Sequence, residues 1–199
     1  MAVKAGAKGV EFDVHLTRDG IPVVVHDEDL RRTTGIAGLV GKTRLSALPR
    51  QIPTLADTLR SVRGMPFINI EIKGRTPGIV QSVRKAVARA GLENRVVVSS
   101  FDRATVLQAR KVWPSVRVAW NLSRFPLFWD RTARRMGLSG VHPDHSKVSA
   151  QRVARAHAAG LWVWAWTTDD PKEIRRLAAA GVDGIFSNDP VAAEKALGR

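Results

Sequence analysis

"LWVWAWTTDDPKEIRRLAAAGVDGIFSNDP" fills residues 161–190. Its first part, 161–166, is apolar and aromatic and reads as a strand. Asp170 then offers an N-cap, Pro171 stands at the first helical position, and Glu173 is spaced to close a capping box. Gly181 stops the helix, and a second apolar run follows at 183–187. Strand, helix and strand in such quick succession are the repeating unit of a parallel sheet with its crossovers on the outside.

The same rhythm runs outward through the chain. Strands are expected at 9–16, 22–26, 67–72, 95–100, 116–120, 139–142, 161–166 and 183–187. Helices are expected between most of them. At 53–62, Thr54 caps with Asp57 three residues on. At 77–91, Ile79, Val80, Val83 and Val87 share one face and Gly91 ends the run. At 149–160, Ser149 starts the helix and Gly160 stops it. No linker or low-complexity stretch interrupts the pattern, so residues 1–199 are expected to form a single domain. Only 28–52 breaks the rhythm, as a long loop-like segment of the kind that often carries function.

Composition narrows the possibilities. The chain has 199 residues, 44% hydrophobic and 25% charged, enough for one domain with a core. No apolar run reaches membrane-spanning length. There is no cysteine, which excludes disulfides and thiol catalysis. The net charge of +14 suits an anionic substrate, a membrane surface or nucleic acid. The excess concentrates in residues 103–135, where eight Lys or Arg face one acid, Asp130. No RNA-binding, zinc or helix-turn-helix pattern accompanies it, so no nucleic-acid partner is expected.

The chemistry gathers on two strands. In "GVEFDVHL" (9–16), Glu11 and Asp13 share a face and Phe12 takes the other. In "INIEIKG" (68–74), Asn69, Glu71 and Lys73 share a face opposite the isoleucines. Crowded carboxylates repel, and a divalent cation relieves them; an all-oxygen set favours Mg²⁺ or Ca²⁺. The competing reading is an edge strand whose polar face is merely wet. His26 ends an apolar run and is a general acid or base if a phosphate binds nearby. His15, on the Glu11–Asp13 face, is a second choice. His157 is expected to face solvent.

Here the sequence resembles the glycerophosphodiester phosphodiesterases. The resemblance rests on "AGAKGVEFDVHLTRDGIPVVVHDEDLRRTTG", "IPTLADTL", "INIEIKG", "VVVSSFD", "LWVWAWTTDD" and "GVDGIFSNDP", which follow one another in the family's order across nearly the whole chain. It implies a TIM (β/α)₈ barrel of the phosphatidylinositol-phospholipase-like type, with its site at the C-terminal strand ends. It assigns metal binding to Glu11, Asp13 and Glu71, catalysis to His26 and Lys73, and substrate contact to Trp166, while Ser100, Phe101 and Asn188, at other strand ends, are expected to line the site with less support. Trp162 and Trp164 are expected in the core.

One part of the family pattern has no counterpart. The first strand with its His-Arg-Gly motif and most of the first helix are absent, and residues 1–8 read as that helix's last turns. Met1 is therefore expected to be an internal methionine, and the chain to be impaired by the lack of the family's other catalytic histidine. The expected reaction is metal-dependent hydrolysis of a small-molecule glycerophosphodiester to glycerol 3-phosphate and an alcohol. A lysophospholipase-like reaction differs only in the alcohol. The alternative is a non-catalytic basic barrel fragment that binds phosphate, lipid or nucleic acid. A membrane-surface contact fits the Arg-rich stretch, and a cytoplasmic location is expected, with secreted or membrane-associated forms left open.

Overall fold

The computed structural model describes residues 6–198. Most of the helix end expected at residues 1–8 lies outside these. The described chain falls into two compact units, one of residues 10–116 and the other of residues 6–9 with 117–198.

In the first unit the strands are β1 (Gly9–Leu16), β2 (Pro22–Val24), β3 (Phe67–Ile72) and β4 (Val96–Ser100), in the spatial order β2-β1-β3-β4. β1 and β2 form an antiparallel hairpin, while β3 and β4 run parallel. Residues 68–72 of β3 are buried on both faces, as expected of a strand with helices over its sheet. The helices are α1 (Arg31–Thr34), α2 (Leu55–Ser61), α3 (Ile79–Ala90) and α4 (Arg103–Val112). α3 buries the four residues its periodicity selected, Ile79, Val80, Val83 and Val87. Thr54 caps α2 by accepting from the Asp57 amide at 3.1 Å.

β2 is shorter than expected: past Val24 the Val25 amide still donates to the Asp13 carbonyl of β1 at 3.1 Å, while on the other edge the Val24 amide donates to the Pro53 carbonyl at 2.9 Å. Segment 28–52 has short helical turns and a core of its own. Leu30, Val40, Leu48 and Ile52 pack there with Val23 and Val25 of the hairpin. The β1–β2 turn holds it from below: the Thr17 hydroxyl donates to Asp19 Oδ1 at 2.7 Å, and that oxygen accepts the Leu45 amide at 3.0 Å.

In the second unit the strands are β5 (Arg117–Leu122), β6 (Gly140–Pro143), β7 (Trp162–Ala165) and β8 (Gly184–Ile185), adjacent in that order and parallel. The helices are α5 (Trp129–Arg135), α6 (Ala150–Ala158), α7 (Pro171–Ala179) and α8 (Pro190–Ala196). Register explains two glycines. Gly140 lies opposite Trp162 and Gly184 opposite Trp164. A Cβ on Gly140 would fall 2.0 Å from the Trp162 ring, and one on Gly184 would fall 2.8 Å from the Trp164 ring. Each indole lies flat on a neighbouring strand that has no side chain there. Trp162 and Trp164 thus stack on one another against the sheet but remain partly exposed, short of the core burial expected of them.

Asp170 caps α7 through the Lys172 amide at 2.9 Å, but Glu173 does not close the box. The Thr168 hydroxyl accepts the Asp170 amide instead, at 3.2 Å, and Glu173 pairs with Arg176 and His145. His157, on α6, is partly exposed and pairs with Asp183 at 2.9 Å.

Candidate functional site

The pleat decides which side chains of the first unit meet. Glu11 and Asp13 project from one face of β1, and Glu71 projects from β3, its neighbour. One carboxylate oxygen from each lies within 4.8 Å of the other two. Lys73, just past β3, donates its amide to Val14 of β1 at 3.0 Å. That bond registers the two strands and swings the ammonium over the acids. Lys73 Nζ lies 2.9 Å from Asp13 and also pairs with Glu71.

Charge in the cluster is unbalanced. Glu11 touches solvent, yet desolvation by the surrounding protein, then the charges of Asp13 and Glu71, push its carboxyl up to about 8. Burial raises Glu71 as well, with Lys73 pulling the other way. Burial would lower Lys73, but Glu71 and then Asp13 outweigh it and hold the ammonium above its ordinary value. One lysine among three carboxylates leaves a negative excess. Hard oxygen donors on two rigid strands with a deficit of positive charge suit Mg²⁺ or Ca²⁺, so the residues present fit a divalent cation.

His26 stands at the edge of the same unit. Its Nδ1–H donates to Asp27 Oδ1 at 2.6 Å, and Arg32 grips the other Asp27 oxygen. Those two contacts, Arg32's first, hold the Asp27 carboxyl well below the usual range. His26 is close enough for its charge to act on Glu71. Its side chain is 65% exposed, so Nε2 is open to a reactant. The His15 ring donates to the His26 carbonyl at 3.2 Å, and burial lowers its pKa. His15 therefore braces His26. Phe101, 43% exposed after β4, has its ring centroid 5.8 Å from Lys73 Nζ. Ser100 is buried and turned to structure, donating to the Ile72 carbonyl at 2.7 Å.

Trp166 and Asn188 belong to the second unit. The Trp166 indole donates to the His142 carbonyl at 2.6 Å. Asn188 is clamped by Asp169, which accepts its amide at 2.7 Å and its side-chain NH₂ at 2.9 Å. Asn188 and Ser187 hold the Asp169 carboxyl down at about 2. Asp27, Arg32 and Asp169 escaped the sequence reading. Asp27 and Arg32 have a local signal, an acid after the histidine and an arginine five residues on. Asp169 lies nineteen residues from its partner Asn188 and has no local signal.

Comparison with known proteins gives the chain its relatives. Residues 1–192 match the glycerophosphoryl diester phosphodiesterase family. A glycerophosphodiester phosphodiesterase of Bacillus altitudinis is 33% identical over 98% of this chain and 88% of its own. One of Caldanaerobacter subterraneus is 31% identical over 95% of this chain and 85% of its own. An Oleispira antarctica phosphodiesterase, solved with the product sn-glycerol-3-phosphate, superposes with a TM-score of 0.87 at 31% identity, covering all of this chain and 88% of that one. Fold class follows from these likenesses: strands and helices alternate as in the α/β barrel of these enzymes, part of which has no counterpart here. With a sequence match across nearly its whole length and solved relatives of the same fold, the chain belongs to the glycerophosphoryl diester phosphodiesterase family, hydrolases of phosphoric diesters.

Proposed function

We propose that this chain hydrolyses a glycerophosphodiester to glycerol 3-phosphate and an alcohol at the Glu11–Asp13–Glu71 cluster. The observation that carries the reading is the convergence of three carboxylate oxygens within 4.8 Å of one another, with Lys73 over them. Glu11, Asp13 and Glu71 hold a divalent cation, Mg²⁺ or Ca²⁺. When bound, the ion supplies Lewis-acid polarisation of a phosphoryl oxygen.

Lys73 offsets charge that builds on the phosphate oxygens as the bond to phosphorus forms. The diester gains an oxygen from the nucleophile and loses the alkoxide of the alcohol. One proton must leave the nucleophile and one must reach the alcohol. His26 serves that exchange through Nε2, since Nδ1 is committed to Asp27. Phe101, beside Lys73, flanks the phosphate end. The Oleispira relative, with glycerol 3-phosphate bound, supports a small-molecule diester as substrate.

The test is release of glycerol 3-phosphate from glycerophosphocholine. Chelation is expected to abolish turnover, and Glu71→Gln to lower it by about a hundredfold or more. Full activity in chelator, or in Glu71→Gln, refutes the assignment.

A further inference from the structure

The loop after β5, "SRFPLF" (123–128), has no part in the site above. Its tip is apolar and open: Leu127 is 82% exposed and Phe128 53%. Leu127 is the most exposed large hydrophobic residue described. Phe128 has φ 56°, the only positive value outside glycine among the described residues. A bulky aromatic in the left-handed region is strained, and such strain persists where surrounding structure enforces it. Here the enforcement is visible. Phe125 packs on Trp129 with ring centroids 4.7 Å apart. Arg152 lies over Phe125 at 4.8 Å and Arg155 over Trp129 at 5.7 Å. This base fixes both ends of the loop and leaves Leu127 and Phe128 outside it.

The loop and the helix that follows it carry mainly positive charge. Arg124, Arg131, Arg134 and Arg135 are all exposed. Arg131 lies over the Phe128 ring at 5.5 Å. The single acid of the segment, Asp130, is taken up by Arg155 at 2.9 Å. An apolar tip with an arginine collar matches the interface of an anionic bilayer, where hydrocarbon takes the tip and phosphate headgroups take the collar. A protein partner fits less well, because two exposed side chains offer far less than the roughly 1,000 Å² that a stable interface buries. Nucleic acid would call for aromatic stacking platforms in a groove, whereas the most exposed group here is aliphatic.

We infer that the 123–128 loop and its arginines dock this protein on anionic phospholipid membranes, with Leu127 and Phe128 entering the bilayer interface. The test is flotation of the full chain with vesicles of phosphatidylcholine, alone or mixed equally with phosphatidylglycerol. Binding to the mixed vesicles is expected to exceed binding to neutral ones by about tenfold or more and to weaken with salt. Leu127→Ser with Phe128→Ser should lower affinity by about tenfold. Joint Arg131→Gln, Arg134→Gln and Arg135→Gln should lower it by about a hundredfold. Phe128→Gly keeps the test open if the serine variant misfolds, because glycine suits φ 56° and should fold at least as well while binding less. Hydrolysis of glycerophosphocholine in solution should be the same in all these variants, which separates failure here from failure of the proposed reaction. Absence of binding to the mixed vesicles overturns the inference, as does equal binding to neutral ones. Undiminished binding by the folded tip and collar variants does so too.

Discussion

His26 is held at Nδ1 by its own chain neighbour, and Asp27 is held in turn by Arg32. A histidine 65% exposed would otherwise sample several rotamers. Asp27→Asn keeps the side chain's size but removes the charge that fixes ring and tautomer. The expected result is a fall in kcat by about ten- to a hundredfold with KM little changed, read from initial rates. A loss of fold alone would instead lower the amount of active enzyme at constant KM, so active-site titration separates the two. Adjacency in sequence could not show this arrangement, because the rotamers that join the pair depend on Arg32. His142 carries a different residue-scale prediction. It is fully buried on β6, stacked on Trp164 with centroids 5.1 Å apart. Its Nε2 accepts from the Trp162 indole at 3.4 Å, and no group among those described pairs with Nδ1. Burial drives its pKa down to about 3. The unfolded chain, with an ordinary histidine near 6.5, therefore takes up a proton that the folded chain refuses between those values. Stability is complete above the upper value and falls as pH drops, by about 2 kcal/mol at pH 5. Urea unfolding at pH 7.5 and pH 5 measures it, and His142→Gln should remove that part of the slope.

At the scale of elements, the tryptophan strand β7 needs the glycines of its neighbours. Gly140→Ala would set a methyl 2.0 Å from Trp162 in a sheet with little room to shift. Overpacking of this kind costs about 1–3 kcal/mol, and the upper end is expected because the obstacle is an indole flanked by Trp164. Gly64→Ala is the control. A Cβ there meets nothing within 4 Å, and its φ is not positive, so its effect should be neutral or slightly stabilising. Thermal melts of the pair check the contrast. The alternation that revealed β1 and β3 was legible because the period of two survives in sequence. "VEFDV" and "INIEI" hand their acids to one face whatever lies beyond. What was not legible depended on long-range competition. The outer edge of β2 is taken by Pro53, twenty-nine residues on, which accepts the Val24 amide. Glu173, spaced for a capping box, is claimed by Arg176 and by His145 from an earlier strand end. The glycine–tryptophan pairs needed the strand register, which no single strand contains.

At the scale of the whole molecule, three carboxylates gather in a chain of net charge +14. The local charge is matched to a cation, while the surrounding field attracts anions. Those two demands fall on different distances. Contacts of a few ångströms inside the cluster are barely screened by salt, whereas the field of the whole chain fades beyond a Debye length of about 10 Å at 0.1 M. Salt should therefore act on how substrate arrives and leave its conversion alone. Glycerophosphoglycerol carries a net negative charge and glycerophosphocholine carries none, so only the first should feel the field. Its kcat/KM is expected to fall by about tenfold as ionic strength rises from near 0.01 M to near 0.2 M, with kcat steady, while the neutral substrate changes little. Steady-state kinetics on the two substrates side by side decide the matter. A parallel fall for both would mean that added ions compete at the cluster itself. In that case the excess of arginine and lysine serves a surface other than the site, such as the collar around Leu127 and Phe128.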